Sequence, residues 1–109
     1  MADGWLAGAL GVVLFSTMAQ AAPDGDRQHE ITYRLRHDCG SCHGMTLKGG
    51  LGPSLLPESI RDRSDALLID VILNGVPGTP MPPWDFEISR DEAAWLIGRL
   101  REGNVDAKK

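Results

Sequence analysis

The sequence predicts a small all-α protein in which three to four helices pack into one domain. Its 109 residues are enough for a single domain and leave room for only a modest core. Apolar residues recur at helical spacing in three separate segments, and two of these segments begin at a serine suited to cap a helix. No alternation of apolar and polar residues is long enough to indicate a sheet.

The first helix is predicted over residues 29–38, where Ile31 and Leu35 share one face. Residues 23–28 precede this helix as a polar lead-in. After the helix, the glycine-rich residues 44–52 predict a loop, and residues 54–60 predict a brief helical turn.

A firmer helix is predicted over residues 65–73. Ser64 suits its N-cap, and Asn74-Gly75 is a typical stop for a helix. Its apolar stripe consists of Leu68, Val71 and Ile72.

The segment that follows, residues 76–84, carries four of the seven prolines and therefore cannot be regular structure. The last helix is predicted to start at Ser89, which forms a capping box with Glu92. It ends before Gly103, and its apolar face consists of Ala93, Leu96, Ile97 and Leu100.

Residues 1–21 are predicted to be a removable signal peptide. Residues 5–15 form an apolar stretch that is too short to span a bilayer comfortably, and Ala19-Gln20-Ala21 is a small-x-small cleavage site. The stretch before it lacks the usual Lys or Arg and carries only Asp3. An uncleaved anchor or a core helix is the alternative. We therefore predict export and a mature domain of residues 22–109.

Residues 39–43 read Cys-Gly-Ser-Cys-His, and the spacing C-x-x-C-H is typical of a haem c attachment site. The two thiols add across the two vinyl groups of one haem, and the histidine directly after the second cysteine becomes an axial iron ligand. The motif therefore predicts one covalent haem c, held by Cys39 and Cys42 and ligated by His43. The haem would also supply apolar mass that so short a chain lacks.

Three other chemistries could use the same cysteines. A thioredoxin-like dithiol pair needs a βαβ context that does not precede it here. A zinc site needs a second ligand pair, and His29 and His37 lie upstream without the required spacing. A disulfide between Cys39 and Cys42 would close too short a loop to stabilise much. His29 and His37 are also competing iron ligands, but they are predicted to be solvated surface residues.

A second axial ligand is predicted to be Met81. Of the four methionines, Met1 and Met18 belong to the predicted leader, and Met45 is too near His43 to reach the opposite face of a haem. The prolines on both sides of Met81 reduce the entropy lost in holding its thioether at the iron. The alternative is that Met81 only fills a gap in the core.

The order of these features resembles that of the class I c-type cytochromes over about residues 26–103. That resemblance implies the small class I cytochrome c fold around one covalent haem. It implies that the carbonyl of Pro53, after the haem loop, accepts a hydrogen bond from His43. It also implies that the first and last helices cross, which would bring together Ile31, Leu35, Ala94, Trp95 and Ile97. Candidate haem-packing residues are Leu47, Leu51, Leu55, Val76 and Trp84.

More narrowly, residues 36–45, 47–53 and 78–84 resemble the cytochromes c-55X. These are small periplasmic cytochromes that accompany dissimilatory haem nitrite reductase in denitrifying bacteria. The resemblance implies a role as electron donor to that reductase, or as electron acceptor in the making of its special haem. The lack of a basic residue near Met1 departs from the usual pattern of exported proteins.

We therefore predict a periplasmic monohaem electron carrier, which is not an enzyme. The alternatives are an enzyme or sensor with an open distal iron site, and a non-haem dithiol oxidoreductase. The net charge of −4 excludes a strong nucleic-acid footprint. The expected partners are redox proteins, possibly haem nitrite reductase, which meet a monomer at the haem edge beside the cysteines and Met81. No stable membrane insertion is expected after cleavage.

Overall fold

Helices form every regular element in the part of the chain that the computed structural model describes, which is residue 8, residues 11–14, residues 22–103 and residue 105. Most of the predicted leader, residues 1–21, lies outside these described residues. Within them, no helix combines the length and the apolar character that crossing a membrane requires. The all-α prediction is confirmed.

The first helix begins earlier than its apolar spacing indicated. Helix α1 spans Gly25–Arg34, because the Asp24 side chain accepts a hydrogen bond from the Arg27 N–H at 2.8 Å and so caps the first turn. The prediction that residues 25–28 precede the helix is therefore wrong. A π-helical segment, Leu35–Cys39, continues α1, and helix α2, Gly40–His43, follows it directly.

The remaining helices agree with their sequence signals. Helix α3 is a single turn, Pro57–Ile60, and α4 spans Asp65–Asn74 with Ser64 accepting from the Leu67 N–H at 3.1 Å. Helix α5 spans Arg90–Glu102, and its capping box joins Ser89 and Glu92 through two hydrogen bonds of 3.0 and 3.1 Å. Local capping side chains thus decide where α4 and α5 begin.

The core consists of two apolar clusters that share α5. One cluster joins the N-terminal helices to α3 and α5, and its buried members are Ile31, Leu35, Leu47, Ile60, Leu96 and Leu100. The other joins α4 to the adjacent side of the same apolar face of α5, and its buried members are Ile69, Leu73, Ile88, Ala93 and Ile97. Helix α5 is therefore the central element, and both clusters contribute walls to one cavity.

The expected packing of the first helix on the last is present with a different set of partners. Ile31 and Leu35 pack in the cluster that contains Leu96 and Leu100, with Trp95 at its margin. Ala94 and Ile97 belong to the α4 cluster instead. The face of α5 that Ile97 occupies is turned toward α4, which sequence spacing alone did not distinguish.

Candidate functional site

A cavity of about 740 Å³ lies between the two clusters, and four of the predicted site residues line it. Cys39, Cys42 and His43 contribute from the end of the first helical run, and Met81 contributes from the proline-rich segment. Most of the remaining wall is apolar, and it is supplied by α3, α4 and α5 together with the loop before α3 and the proline-rich segment. The fold therefore brings together residues that are far apart in the chain, around one largely apolar space.

The π-helical segment carries Cys39 into the site. Cys39 is its last residue, and α2 then presents Cys42 and His43 from the next turn. A π-turn widens the helix by one residue, and such turns occur frequently at functional sites. Neither thiol is joined in a disulfide. The local backbone therefore leaves both sulfur atoms available at the same cavity.

The Cys39 thiol is poorly suited to dithiol redox chemistry. Burial raises the pKa of Cys39 to about 11, and the negative charge of Asp38 adds to the effect. A raised pKa keeps this thiol protonated at neutral pH, whereas reactive dithiol pairs depend on a lowered pKa. The environment of Cys39 thus disfavours the dithiol oxidoreductase alternative.

His43 is oriented by a backbone carbonyl. Its Nδ1 lies 2.7 Å from the carbonyl oxygen of Pro53, which is the hydrogen bond that the family resemblance implies. Since a carbonyl oxygen can only accept, Nδ1 carries a proton, and in the neutral ring the lone pair is therefore on Nε2. A Cβ added at Gly52 would lie 2.8 Å from the His43 Cε1 and Nδ1 atoms. Gly52 and Pro53 together therefore fix the plane of this ring.

The loop between α2 and α3 folds back onto the cysteine motif. The Gly49 N–H donates to the His43 carbonyl at 2.8 Å, and the Gly52 N–H donates to the Cys42 carbonyl at 2.7 Å. Within the loop, Leu47 adopts a φ of 61°, which is strained for a residue with a side chain, and it is only 4% exposed. Burial of Leu47 in the core offsets this strain and anchors the loop.

The Met81 segment is held against the C-terminus of α4. The Met81 carbonyl accepts from the Val76 N–H at 3.2 Å, and the Trp84 N–H donates to the Ile72 carbonyl at 3.0 Å. Gly75 ends α4 at a φ of 69°, and a Cβ there would lie 2.7 Å from the Met81 carbonyl oxygen. The Asn74-Gly75 stop therefore also makes room for the backbone of Met81.

Three side chains that were predicted to be unsuitable as iron ligands, Met45, His29 and His37, lie outside the cavity wall. Met45 is 63% exposed and its sulfur lies beside Gly40, outside the cavity wall. His29 and His37 are exposed, and the His37 ring packs against Tyr33 with centroids 4.1 Å apart and ring planes tilted by 37°. Among the methionines of the described residues, Met81 is the one that lines the cavity.

Four of the five candidate haem-packing residues line the cavity, namely Leu51, Leu55, Val76 and Trp84. The fifth, Leu47, does not. It packs in the core cluster with Ile31 and Leu100 instead, and its backbone has a positive φ. The roles of Gly52 and Gly75 were missed by sequence reasoning. The available signals were the position of Gly52 before Pro53 and that of Gly75 at the end of a helix. Neither signal shows which atoms a side chain at that position would meet.

The sequence family described as cytochrome c oxidase, cbb3-type, subunit III matches residues 26–98. Cytochrome c55X of Pseudomonas aeruginosa is 46% identical over 102 residues, which cover 93% of this chain and 86% of that protein. A solved structure titled c-type cytochrome NirC is 48% identical with a TM-score of 0.75, and the match covers 78% of this chain and all of that one.

A longer protein carries a related segment. Dihydro-heme d1 dehydrogenase of Pseudomonas aeruginosa is 44% identical over 92 residues, which cover 84% of this chain but only 17% of that protein. The similarity therefore concerns one part of a much larger chain.

Proposed function

This chain belongs to the c-type cytochromes and, within them, to the cytochrome c55X group, and from that membership we propose that it is a periplasmic monohaem carrier of single electrons and not an enzyme. The observation that carries the proposal is that both cysteines, His43 and Met81 line one apolar cavity. Membership in this family implies covalently bound haem c. That the chain holds one haem, and that these four residues hold it, is part of the proposal.

The residues present fit such a group. A flat, largely apolar macrocycle needs an apolar enclosure with thiols and iron-ligating side chains at its wall. The cavity of about 740 Å³ offers that lining from Leu55, Val71, Ile72 and Ile97. When bound, haem c would supply a one-electron iron couple. The chain's own contribution is to hold, orient and enclose it.

Cys39 and Cys42 would hold the haem covalently. Both are free thiols at the cavity wall, and the intervening turn of α2 presents them from one side. Covalent attachment suits a chain with so small a core, because a bound group that is retained on unfolding cannot be lost by dilution.

His43 would bind the iron through Nε2. Its Nδ1–H donates to the Pro53 carbonyl, so the ring is already in the tautomer that leaves Nε2 free. No tautomer change or ring rotation is then needed when a ligand bond forms. Gly52 keeps the ring in this orientation because any larger residue would meet it.

Met81 would occupy the second axial position. Its thioether lines the cavity, and the hydrogen bonds of its segment to α4 restrain the backbone before any ligand bond forms. A thioether donor raises the reduction potential relative to a second histidine. If His43 and Met81 both bound the iron, no ligand position would remain for a substrate, which would favour an electron carrier over an enzyme or a sensor.

Replacement of Met81 tests this assignment. In haem-loaded protein, Met81→Ala should let carbon monoxide bind the ferrous form at once, because the axial position opens, while Met81→His should lower the midpoint potential. Met45→Ala is the matched control and should do neither, since Met45 lies outside the cavity. Immediate carbon monoxide binding by the unaltered protein would contradict the proposal and favour the enzyme or sensor.

The proposed partners are redox proteins of haem nitrite reduction. The family resemblance implies haem nitrite reductase as electron acceptor. The similarity to part of dihydro-heme d1 dehydrogenase supports the other possibility, which is an electron exchange during the making of the special haem of nitrite reductase. Either contact would be small and transient, as is usual for electron-transfer proteins.

Stopped-flow mixing of the ferrous protein with purified haem nitrite reductase tests the partner. Fast reduction with a shallow dependence on ionic strength is expected, because the net charge of −4 arises from mixed charges and gives weak steering. Absence of transfer at micromolar concentrations would remove the reductase as direct acceptor and leave the electron-carrier function in place.

A further inference from the structure

Two arginines of α1 connect the helix before the cysteines to the turn after Met81. Arg27 forms an ion pair with Glu92 of α5 and donates a hydrogen bond to the Glu87 carbonyl. Arg34, two turns further along α1, forms an ion pair with the Glu87 side chain. The turn at residues 84–88 is therefore attached to α1 at two points.

Arg34 also reaches the residue that precedes Cys39. Its Nη1 lies 3.6 Å from Asp38 Oδ2, and its Nη2 lies 3.8 Å from Glu30 Oε1. The side chains of Arg34 and Glu87 are only 27% and 31% exposed. The Arg34 Nε and Glu87 Oε2 atoms are buried without a hydrogen-bond partner among the described residues, so the charge contact between these side chains is what offsets their burial.

The Met81 segment is restrained on both sides of Met81. On the upstream side, the Val76 N–H donates to the Met81 carbonyl within the segment, and Gly75 closely approaches that carbonyl. On the downstream side, the Trp84 and Asp85 N–H groups donate to the Ile72 and Leu73 carbonyls of α4 at 3.0 and 3.2 Å. The downstream end of the segment passes through the 84–88 turn, where the Glu87 and Ile88 N–H groups both donate to the Trp84 carbonyl at 3.0 and 2.9 Å. Glu87 is where that turn meets the charged side chains of α1.

We propose that the Arg34–Glu87 ion pair is a positioning device for Met81. By tying the turn after Met81 to the helix that ends in Cys39 and Cys42, it holds the two walls of the cavity at a fixed separation. The proposal rests on the proposed role of Met81 as axial ligand. Neither Arg34 nor Glu87 lines the cavity, so both would act through the segments that carry them.

The charges of the cluster predict which partner matters more. Arg34 is shared by Glu30, Asp38 and Glu87, and all three are acidic. Removal of Glu87 leaves Arg34 with two carboxylates, while the bond from Arg27 to the Glu87 backbone is retained in variants of either Arg34 or Glu87. Removal of Arg34 instead leaves Asp38 and Glu87 without their shared cation, and their repulsion pushes the turn away from α1. Loss of Arg34 should therefore loosen Met81 more than loss of Glu87.

Imidazole binding to the ferric, haem-loaded protein measures this effect, because the added ligand must first displace Met81. A less firmly held Met81 leaves a larger open fraction and so raises the apparent affinity for imidazole. We expect Glu87→Gln to raise the apparent imidazole affinity by about fivefold and Arg34→Gln to raise it further. Arg34→Lys keeps the positive charge and should therefore raise the affinity less than Arg34→Gln. Met81→Ala gives the upper limit.

Two controls separate positioning from general destabilisation. Glu102→Gln removes the exposed partner of Arg99 on α5, a charge change of the same kind away from the turn. Ser64→Ala removes the N-cap of α4 and lowers stability without touching Met81. Neither should change imidazole affinity.

Affinities in Arg34→Gln and Glu87→Gln equal to that of the unaltered protein would overturn the proposal. An equal rise in imidazole affinity in Ser64→Ala would also overturn it, since the loosening of Met81 would then follow from lower overall stability alone. If Met81→Ala itself leaves imidazole affinity unchanged, Met81 is not an axial ligand, and the positioning role is refuted as well. This result differs from the two above, which would refute only the positioning role.

Discussion

At the residue scale, the orientation of His43 depends on two neighbours that lack an ordinary side chain or N–H. Pro53 contributes its carbonyl to Nδ1 at 2.7 Å, and Gly52 leaves the space in which the ring lies. Rotation of the ring would break the Pro53 bond and turn Nε2 away from the cavity. A Cβ atom added at position 52 would therefore directly disturb the proposed iron ligand.

Substitution of Gly52 by alanine should disturb this site. The added Cβ would lie 2.8 Å from two ring atoms of His43, so either the ring or the loop must move. We expect a loss of about 1–3 kcal/mol in the free energy of unfolding, with a changed ferric absorption spectrum. Urea titration and optical spectra of the haem-loaded variant measure both.

Gly98→Ala is the matched control for this change. Gly98 lies inside α5, and nothing is within 4 Å of the Cβ it would gain. Alanine favours the helix there, so we expect stability to rise by about 0.5–1 kcal/mol with an unchanged spectrum. An equal loss in both variants would mean that Gly52 is not special to the His43 ring.

At the scale of the elements, Glu92 serves two interactions at once. It closes the capping box at the start of α5 and forms an ion pair with Arg27 of α1. The Arg27 hydrogen bond, opposed in part by burial, lowers the pKa of Glu92 to about 2. The same carboxylate raises the pKa of Arg27. The start of α5 is thereby attached to the first helix.

The pH dependence of stability follows from this lowered pKa. A carboxylate with a pKa lower in the folded than in the unfolded state stabilises the fold above its unfolded pKa, and this contribution is lost as the pH falls toward the folded value. Glu92→Gln should therefore cost about 1 kcal/mol at pH 7, and the difference from the unaltered protein should shrink between about pH 4.5 and pH 2.

Urea unfolding of both proteins across that pH range measures the difference. Glu102→Gln is the control, because its partner Arg99 lies 3.6 Å away on the same helix and the Glu102 side chain is exposed. A difference for Glu92→Gln that is constant from pH 7 to pH 2 would show that the charge on Glu92 is not what stabilises α5.

At the scale of the whole molecule, both core clusters border the cavity. Helix α5 contributes to both, and Leu68 and Ile72 pack against both, so the apolar core is arranged around the cavity. In so short a chain, a group bound in the cavity would add apolar contacts that a larger core would otherwise supply. This contribution agrees with covalent retention of the proposed haem.

Mass measurement of the exported protein tests retention and the leader together. Expressed with a haem-ligation system, the protein should carry the mass of one haem under denaturing conditions, on a chain that begins at Ala22. Cys39→Ser and Cys42→Ser should each leave at most one thioether bond and reduce the yield of loaded protein. A bare polypeptide mass would contradict haem attachment, and recovery in membranes with Met1 intact would contradict cleavage.

Much of this architecture could be predicted because its signals are local. Ser64, Ser89 and Glu92 mark helix starts through bonds to backbone groups within the same turn, and the structure confirms both starts. The start of α1 was missed because its cap, Asp24, precedes a polar turn with no apolar periodicity. The π-helical segment was missed because no spacing of side chains in residues 35–39 distinguishes it from an α-turn.

The cysteine motif, the caps and the proline-restrained Met81 could all be recognised from the sequence, since each depends on residues a few positions apart. Which side chains share the cavity became evident from the fold alone. The fold placed Leu47 in the core, Met45 outside the cavity, Gly52 against His43, and Arg34 against Glu87. Those outcomes depend on contacts between segments distant in the chain, whose geometry follows from packing both clusters against α5.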